Sequence, residues 1–392
     1  LAEKFGQAGN CMDLSMSEAS APLKGLKVIE LARILAGPWA GQALADLGAE
    51  VIKVEGPKGD DTRAWGPPFI QQDDDTSAAY YYACNRGKTS VFADFKTDAG
   101  KQTVLDLIDS ADIVIENFKV GTLAKFGLDY ESLSKRNPRL IYCSITGFGQ
   151  TGPYAQRAGY DFMIQGMSGL MSITGEESGG PQKTGVAISD LVTGLYSGMG
   201  ILAAVEQRHR TGRGQHIDMS LFDCSVALLA NQTMNYLASG ISPGRLGNAH
   251  PNIAPYQTFE TKDGHINIAV GNDDQFARCC IVLGLEDLPD DERFSTNAAR
   301  VANRTALIDR MTRSTREHSS PDLLALLEQA TVPAGPINTV GEALEDKQIA
   351  DRGLRIAPDG IPGVRGPWIF SDARLETNKT APKRPKPDDQ KN

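Results

Sequence analysis

Asp190 is a lone carboxylate set between the apolar run Val186-Ala187-Ile188 and a helix start, Leu191-Val192-Thr193-Gly194. Aspartate is a favoured helix N-cap, so capping explains it without chemistry. The position also suits catalysis, because helix-end N–H groups hold and orient a carboxylate; on these residues alone the cap is the simpler reading. Upstream lies YCSITGFGQTGPYAQRAGYD, Tyr142 to Asp161, a dense loop that no packing rule requires. Basic residues gather at strand boundaries: Arg33 behind the first strand, then Asn85-Arg86-Gly87-Lys88 and Glu116-Asn117-Phe118-Lys119. Open α/β sheets bind ligands at the carboxyl ends of their strands, where Arg33 falls. Arg33 reads equally well as the partner of a nearby acid such as Asp46 or Glu55. Each of the other cations, taken alone, reads as a solvated charge.

Several chemistries lose their usual handle. The loop after the first strand, Ala32-Arg33-Ile34-Leu35-Ala36-Gly37-Pro38, lacks G-x-G-x-x-G, and no G-x-x-x-x-G-K-[ST] occurs. NAD and ATP are therefore without their phosphate grips. The six cysteines form neither a C-x-x-C pair nor a Cys/His cluster, so no metal site is expected. They read as reduced thiols, which fits the cytoplasm, or the mitochondrial matrix of a eukaryotic cell. With 40 basic against 49 acidic residues the net charge is −9, which argues against general nucleic-acid binding. An anionic ligand must be held by local cations. No apolar run approaches the ~20 residues that span a bilayer.

The elements that must position these residues follow from periodicity. A chain of 392 residues suggests two domains. Short β-branched strands are expected at residues 26–31, 49–55, 89–93, 112–116 and 140–145, with helices opening at Gly37-Pro38 and running over 98–108. Such strands alternating with amphipathic helices predict an α/β fold with a Rossmann-like parallel sheet that lacks the glycine fingerprint. A long helix over 192–210 follows, with Leu195, Met199, Leu202 and Val205 on one face, then a strand at 216–219 and a helix over 221–237. Beyond Gly240 a hairpin at 256–270 and a helix starting near Ser320-Pro321-Asp322 predict a smaller α+β domain. The expected boundaries are a disordered lead at 1–21, a large α/β domain at 22–225, a linker at 226–244 and the small domain at 245–332. A return to the large domain at 333–378 and a disordered tail at 379–392, rich in proline and charge, complete the chain.

The segment 142–161, the surroundings of Asp190 and the motif GDDTRAWGPPF (Gly59 to Phe69) occur together in an order that resembles the class III coenzyme A transferases. The likeness is greatest to members of the succinyl-CoA:glutarate type and covers about residues 23–370. It implies an interlocked homodimer that moves CoA from an acyl-CoA such as succinyl-CoA to a small carboxylic acid, a dicarboxylate such as glutarate, through an aspartyl anhydride and thioester, with no permanently bound cofactor. With the charge and the short apolar runs, no nucleic-acid or membrane partner is expected. It also makes Asp190 the reaction centre. A carboxylate with pKa near ~3.9 is ionised at neutral pH and attacks a thioester without a general base. The resemblance further implies a CoA channel lined by Arg33, Leu35, Ala36, Asn85, Arg86, Lys88, Asn117, Phe118, Lys119, Lys125, Ala158, Gly159, Tyr160 and Asp161.

Three positions refine the resemblance. Racemases of the family place a histidine where this chain has Tyr160, and a phenol with pKa ~10 is a poor base at pH 7. An α-methylacyl-CoA racemase is thus the weaker enzymatic reading, and a catalytically silent CoA-binding protein the non-enzymatic one. Gly56 stands where formyl-CoA transferase has a nucleotide-binding arginine, so that contact is not carried over. The loop 244–251 has only Gly244 and Gly247 in place of a glycine run, which argues against formyl transfer; its His250 reads as an acyl contact or, more simply, a hydrogen-bonded loop histidine. The family's usual C-terminal Leu-Gly-Glu-His-type segment does not appear.

Overall fold

The computed structural model describes residues 20–387; the disorder expected at 1–19 and 388–392 concerns residues outside that range. The chain divides into two compact units, the first comprising Leu1–Gln150, Thr193–Met219 and Leu354–Asn392, the second Thr151–Val192 and Ser220–Gly353.

The first unit is built on six strands: β1 (Lys27–Glu30), β2 (Glu50–Glu55), β5 (Thr89–Phe92), β6 (Ile113–Glu116), β7 (Ile141–Thr146) and β8 (His216–Ser220). A hairpin of β3 (Phe69–Gln72) and β4 (Asp75–Ala78), absent from the sequence expectations, lies between β2 and β5 in the chain. The sheet order is β5-β2-β1-β6-β7-β8. The β2–β5, β1–β2, β1–β6 and β6–β7 pairs are all parallel. β8 joins the edge where the Tyr142 N–H donates to the Gln215 carbonyl at 2.9 Å. β6 is buried at every position, and β2 at all but its first, as expected for strands covered on both faces. The order reverses between β1 and β6: chain leaving β1 turns toward β2, and chain leaving β6 toward β7. That is a topological switch point, where two diverging connections open a crevice at the carboxyl ends of the strands. Arg33 leaves β1 and Asn117 leaves β6, one on each side of it.

Helices α1 (Ala36–Asp46), α2 (Ala79–Asn85), α3 (Asp98–Asp109) and α4 (Tyr130–Arg136) complete this part of the unit. The tail differs from expectation. Ala381 is buried, Arg63 donates to the Pro382 carbonyl, and Lys386 pairs with Asp74, so residues 379–387 are strapped to the β3–β4 hairpin and its surroundings. Lysines spaced along a proline-punctuated segment read as disorder until the acidic turn Asp73-Asp74-Asp75 supplies their partners. Ala21 is likewise buried, with its side chain seated over Gly48.

The second unit contains α5 (Asp161–Met167), α6 (Leu170–Ile173), the first turn of α7 (Ile188–Thr211), α8 (Leu221–Leu228) and α9 (Ala230–Ser239). A three-stranded sheet lies over a core of Phe259, Ile266, Ile268, Phe276, Met311, Leu323 and Leu327. The boundaries differ from those expected, because residues 151–192 form short helices and loops that pack within this unit and carry no strand-helix repeat. The helix expected over 221–237 is broken at Ala230, whose φ is +46°. α7 begins at Ile188, four residues before the expected start, so Asp190 lies inside the first turn and is not its cap.

Candidate active site

Asp190 is part-buried on the first turn of α7, and its surroundings push its pKa up to about 7. Burial is the main cause, and the Asp161 carboxylate adds to it; no cation offsets either. The expectation of an ordinary, fully ionised carboxylate is corrected accordingly. The capping role passes to Asp161, whose Oδ1 accepts the Ser189 N–H at 2.8 Å, satisfying one of the unpaired donors at the start of α7. Its Oδ2 accepts from Gln165 Nε2 at 2.7 Å, and Gln165 Oε1 in turn takes the Thr184 N–H at 3.0 Å. Asp161 is thus fixed from both sides, with its charge close enough to Asp190 to disfavour a second negative charge. Tyr160 precedes α5 and is 62% exposed; Ala158 is exposed and Gly159 half-buried. His250 is the simpler of its two readings: Nδ1 accepts the Asn252 N–H at 3.1 Å, and burial together with Arg304 lowers its pKa, so it is a neutral turn histidine.

In the first unit several expected CoA contacts turn inward. Lys88 is buried and donates to Glu30, to the Pro38 and Cys84 carbonyls and to Asn85 Oδ1, each at about 3 Å. Asn85 is fully buried, and Arg86 pairs with Asp46 and donates to the Val364 carbonyl. Asn85 and Lys88 are enclosed by these partners, and Arg86 is held by Asp46 and the Val364 carbonyl with its Nε buried and unpartnered; the three join α2 to the sheet and to the returning chain. Lys53 and Lys88 both pair with Glu30, Lys53 also with Asp60, and Arg63 with Glu55 and Asp75. Gly41 permits this packing, since a Cβ there would fall 1.9 Å from Glu30 Oε2. GDDTR is therefore a structural knot: Asp60 accepts from the Thr62 N–H and Oγ1, and Arg63 is entirely enclosed.

Arg33 escapes that network. It pairs with Asp61 at 2.8 Å, both side chains being nearly half exposed, and neither Asp46 nor Glu55 is its partner. Asn117 clamps its backbone, accepting the Arg33 N–H at 2.9 Å and donating to the Arg33 carbonyl at 2.6 Å. The guanidinium lies 5.6 Å from the Phe118 ring centroid. Lys119 and Lys125 are exposed, while Leu35 and Ala36 are buried at the start of α1. The switch point thus brings together Arg33, Asn117 and Phe118. A close crossing also places α7: a Cβ on Gly194 would sit 2.7 Å from the Ala36 carbonyl oxygen.

One cluster has no counterpart among the sequence expectations. Glu116 closes β6; it accepts the Phe118 N–H at 2.8 Å and is hydrogen-bonded to Ser144 on β7. Ser144 Oγ is 2.9 Å from His216 Nε2 on β8. Burial pushes Glu116 up to about 7, against the pull of the Ser144 and Phe118 hydrogen bonds. This is not a nucleophilic triad, because Ser144 is only 2% exposed and the acid contacts the serine in place of the imidazole. Its members come from three strands far apart in sequence, so no local spacing reveals it.

Among the described residues no cluster of His, Cys, Asp and Glu has the makings of a metal site. Comparison with known proteins matches the model of CoA-transferase family III over residues 23–386. The chain is 57% identical over 376 residues to a succinate–glutarate CoA-transferase of Agrobacterium fabrum, covering 94% of each chain. It is 43% identical to the human succinyl-CoA:glutarate CoA-transferase, over 93% of this chain and 83% of that one. Among solved structures, a CAIB/BAIF family protein from Brucella suis superposes with a TM-score of 0.85 at 61% identity, covering 93% and 96% of the two chains. Rv3272 from Mycobacterium tuberculosis superposes with a TM-score of 0.83 at 30% identity, over 93% and 97%. The chain belongs to CoA-transferase family III.

Proposed function

We propose that this CoA-transferase moves CoA from succinyl-CoA to a dicarboxylic acid, glutarate being the favoured acceptor. The observation that carries this reading is the kinship to succinate–glutarate transferases along almost the whole chain. Asp190, on the first turn of α7, supplies a mechanism. Ionised Asp190 attacks the thioester carbonyl, the C–S bond breaks, and CoA thiolate leaves a succinyl-aspartyl anhydride. The thiolate then attacks the Asp190 carbonyl, releasing succinate and forming an aspartyl-CoA thioester. A glutarate carboxylate repeats the sequence in reverse, and glutaryl-CoA departs as Asp190 is regenerated. Both intermediates are water-sensitive, so the site must close around them.

The CoA phosphates meet the exposed cations Arg33, Lys119 and Lys125, with Phe118 against an apolar part; Asn85, Arg86 and Lys88 support the fold instead. A homodimer completes the protein. Leu195, Tyr196, Met199 and Leu202 of α7 are exposed in the single chain, with Met199 at 65%, whereas Thr193, Ser197 and Ile201 are buried. An apolar helix face turned outward calls for a second copy. The five described cysteines are buried and form no disulfide with one another, which suits a reducing compartment such as the cytoplasm or the mitochondrial matrix.

The test is an acceptor screen with succinyl-CoA, following new CoA esters by mass spectrometry for glutarate, isotope-labelled succinate and butyrate in wild type and Arg33→Ala. Glutaryl-CoA should form and butyryl-CoA should not. Equal use of butyrate would overturn the dicarboxylate assignment. Equal loss on all acceptors in Arg33→Ala would place Arg33 on CoA and away from the acceptor's distal carboxylate.

A further inference from the structure

We propose that the Glu116–Ser144–His216 chain, buried at Glu116 and Ser144 and reaching an exposed imidazole on the edge strand, is a positioning device for acyl-CoA, setting the β6 turn that holds Arg33 and Phe118 at the switch-point crevice. The inference rests on the reading that Arg33 and Phe118 meet CoA. Glu116 sits at the last position of β6, where the chain must stop pairing with β7 and turn over the crevice. Its Oε2 accepts the Phe118 N–H across that turn, which fixes the backbone of residues 116–118. With the turn so fixed, Asn117 can grip both the N–H and the carbonyl of Arg33. β1 ends at Glu30, the Leu31 N–H still donates to the Ile115 carbonyl of β6 at 2.8 Å, and two residues further on the Asn117 clamp ties Arg33 to the end of β6.

The carboxylate that shapes this turn is steered from below. Ser144 stands opposite Glu116 in the β6–β7 register and donates to it, while His216 Nε2 holds the serine from β8. His216 is stacked on Tyr130 at 5.2 Å between ring centroids with an interplanar angle of 20°, and meets the edge of Tyr142 at 5.6 Å. An imidazole clamped between two rings has little freedom, so the orientation of Ser144 and hence of Glu116 is defined by packing. Beside them Asp218 accepts the Gln150 N–H with both carboxylate oxygens, tying the loop after β7 to the same strand. None of Glu116, Ser144 and His216 has to touch CoA; they act through the turn.

Burying the polar pair Glu116 and Ser144 within the sheet is costly unless it does something that apolar packing cannot. Here it converts the rigid sheet into a fixed direction for one turn. Its removal should therefore appear in acyl-CoA affinity and leave turnover at saturation alone, a division that general destabilisation does not produce.

The experiment measures kcat and KM for succinyl-CoA, and the Kd of free CoA, in Ser144→Ala, Glu116→Ala and Glu116→Gln, with Arg33→Ala as reference. Ser144→Ala and Glu116→Ala should raise KM and Kd about tenfold, the loss of one hydrogen bond to a charged buried group, with kcat within twofold of wild type. Glu116→Gln keeps an acceptor for the Phe118 N–H and should restore most of the affinity. Should Ser144→Ala fail to fold, His216→Phe, which preserves the stack on Tyr130, serves in its place. A fall in kcat with KM and Kd unchanged overturns the proposal, as does failure of Glu116→Gln to differ from Glu116→Ala. If Arg33→Ala weakens CoA binding while the Ser144 and Glu116 variants do not, this inference fails alone. If none of them affects CoA affinity, the assignment of the crevice to CoA fails with it.

Discussion

In the sheet-bearing unit Glu30, Glu55 and Asp60 each lie within 3 Å of a buried cation, whereas Asp190 in the second unit shares its pocket with another acid. Burial pushes Glu55, Asp60 and Asp190 toward the neutral form. Arg63, Lys53 and Ser90 pull Glu55 back below its ordinary value, and Lys53 and Thr62 do the same for Asp60. Nothing pulls Asp190 back. Burial would also lower Lys53, yet Glu30, Asp60 and Glu55 more than reverse it. A matched network of this kind is worth little over apolar packing but is expensive to break, while an acid without a cation is a standing cost, borne at Glu116 by hydrogen bonds that shape a turn and at Asp190 by a group placed to react. The paired unit builds shape, and the unpaired acid is available for chemistry.

The largest effect should come from removing the unmatched acid. Asp190→Ala should lower transfer from succinyl-CoA by at least roughly 10^4-fold, with CoA affinity close to wild type. Incubation of wild type with acyl-CoA should leave a mass adduct on the peptide that carries Asp190, and the variant should leave none. Normal turnover in Asp190→Ala would end the assignment of this residue as the nucleophile.

Breaking the matched network should have the opposite profile. Arg63→Ala strands Glu55 and Asp75 and removes the tie to the Pro382 carbonyl. A loss of about 3–5 kcal/mol in unfolding free energy is expected, read from urea denaturation, with specific activity of the folded fraction preserved. A stable protein with weakened CoA binding would instead make GDDTR a binding motif.

The contrast has a pH signature. An acid must be ionised to attack a thioester, so kcat/KM should fall about tenfold per pH unit below the Asp190 pKa of about 7 and level off above it. Stability runs the other way. Because the folded pKa is raised above the unfolded value of 3.8, the folded state holds the proton longer, and wild type loses stability as pH rises from about 4 to 7. Asp190→Asn carries no such cost, so its advantage in Tm over wild type should be small at pH 4 and largest at pH 8. An advantage that is the same at both pH values would mean that the acid is not perturbed in the folded protein.

These contrasts also mark what could be read from sequence. The strands at 27–30, 50–55, 113–116 and 141–146 announce themselves through β-branched runs, and Asp190 through its lone position at a helix start. Arg86 and Lys88 mislead because a cation looks the same in sequence whether it meets a phosphate or a buried carboxylate. Only the fold brings Glu30 from β1 and Asp46 from α1 to meet them. Asp161 is legible as a motif residue, but its cap on Ser189 depends on a return of the chain 28 residues later. His216, Ser144 and Glu116 belong to three strands, and nothing local links them.

The smallest effect, and the finest test of the comparison, concerns an ion pair that lies between the two classes. Arg33 and Asp61 pair at 2.8 Å but remain nearly half exposed, so solvent screens them and the pair contributes no more than about 1 kcal/mol. Asp61→Asn should therefore leave the unfolding midpoint almost unchanged. It should also remove a carboxylate that competes with phosphate for the same guanidinium, tightening CoA binding by a factor of about two to five at low ionic strength. The gain should shrink as salt is raised toward 0.5 M, because the screening length then falls below ~5 Å. Titration of free CoA at two salt concentrations, alongside a thermal melt, separates the outcomes. Tighter binding without a change in Tm puts Arg33 with the reactive region, held by Asp61 only until an anion arrives. A marked drop in Tm with no change in CoA affinity would put the pair with the buried network, and the cation at the switch point would then be part of the scaffold.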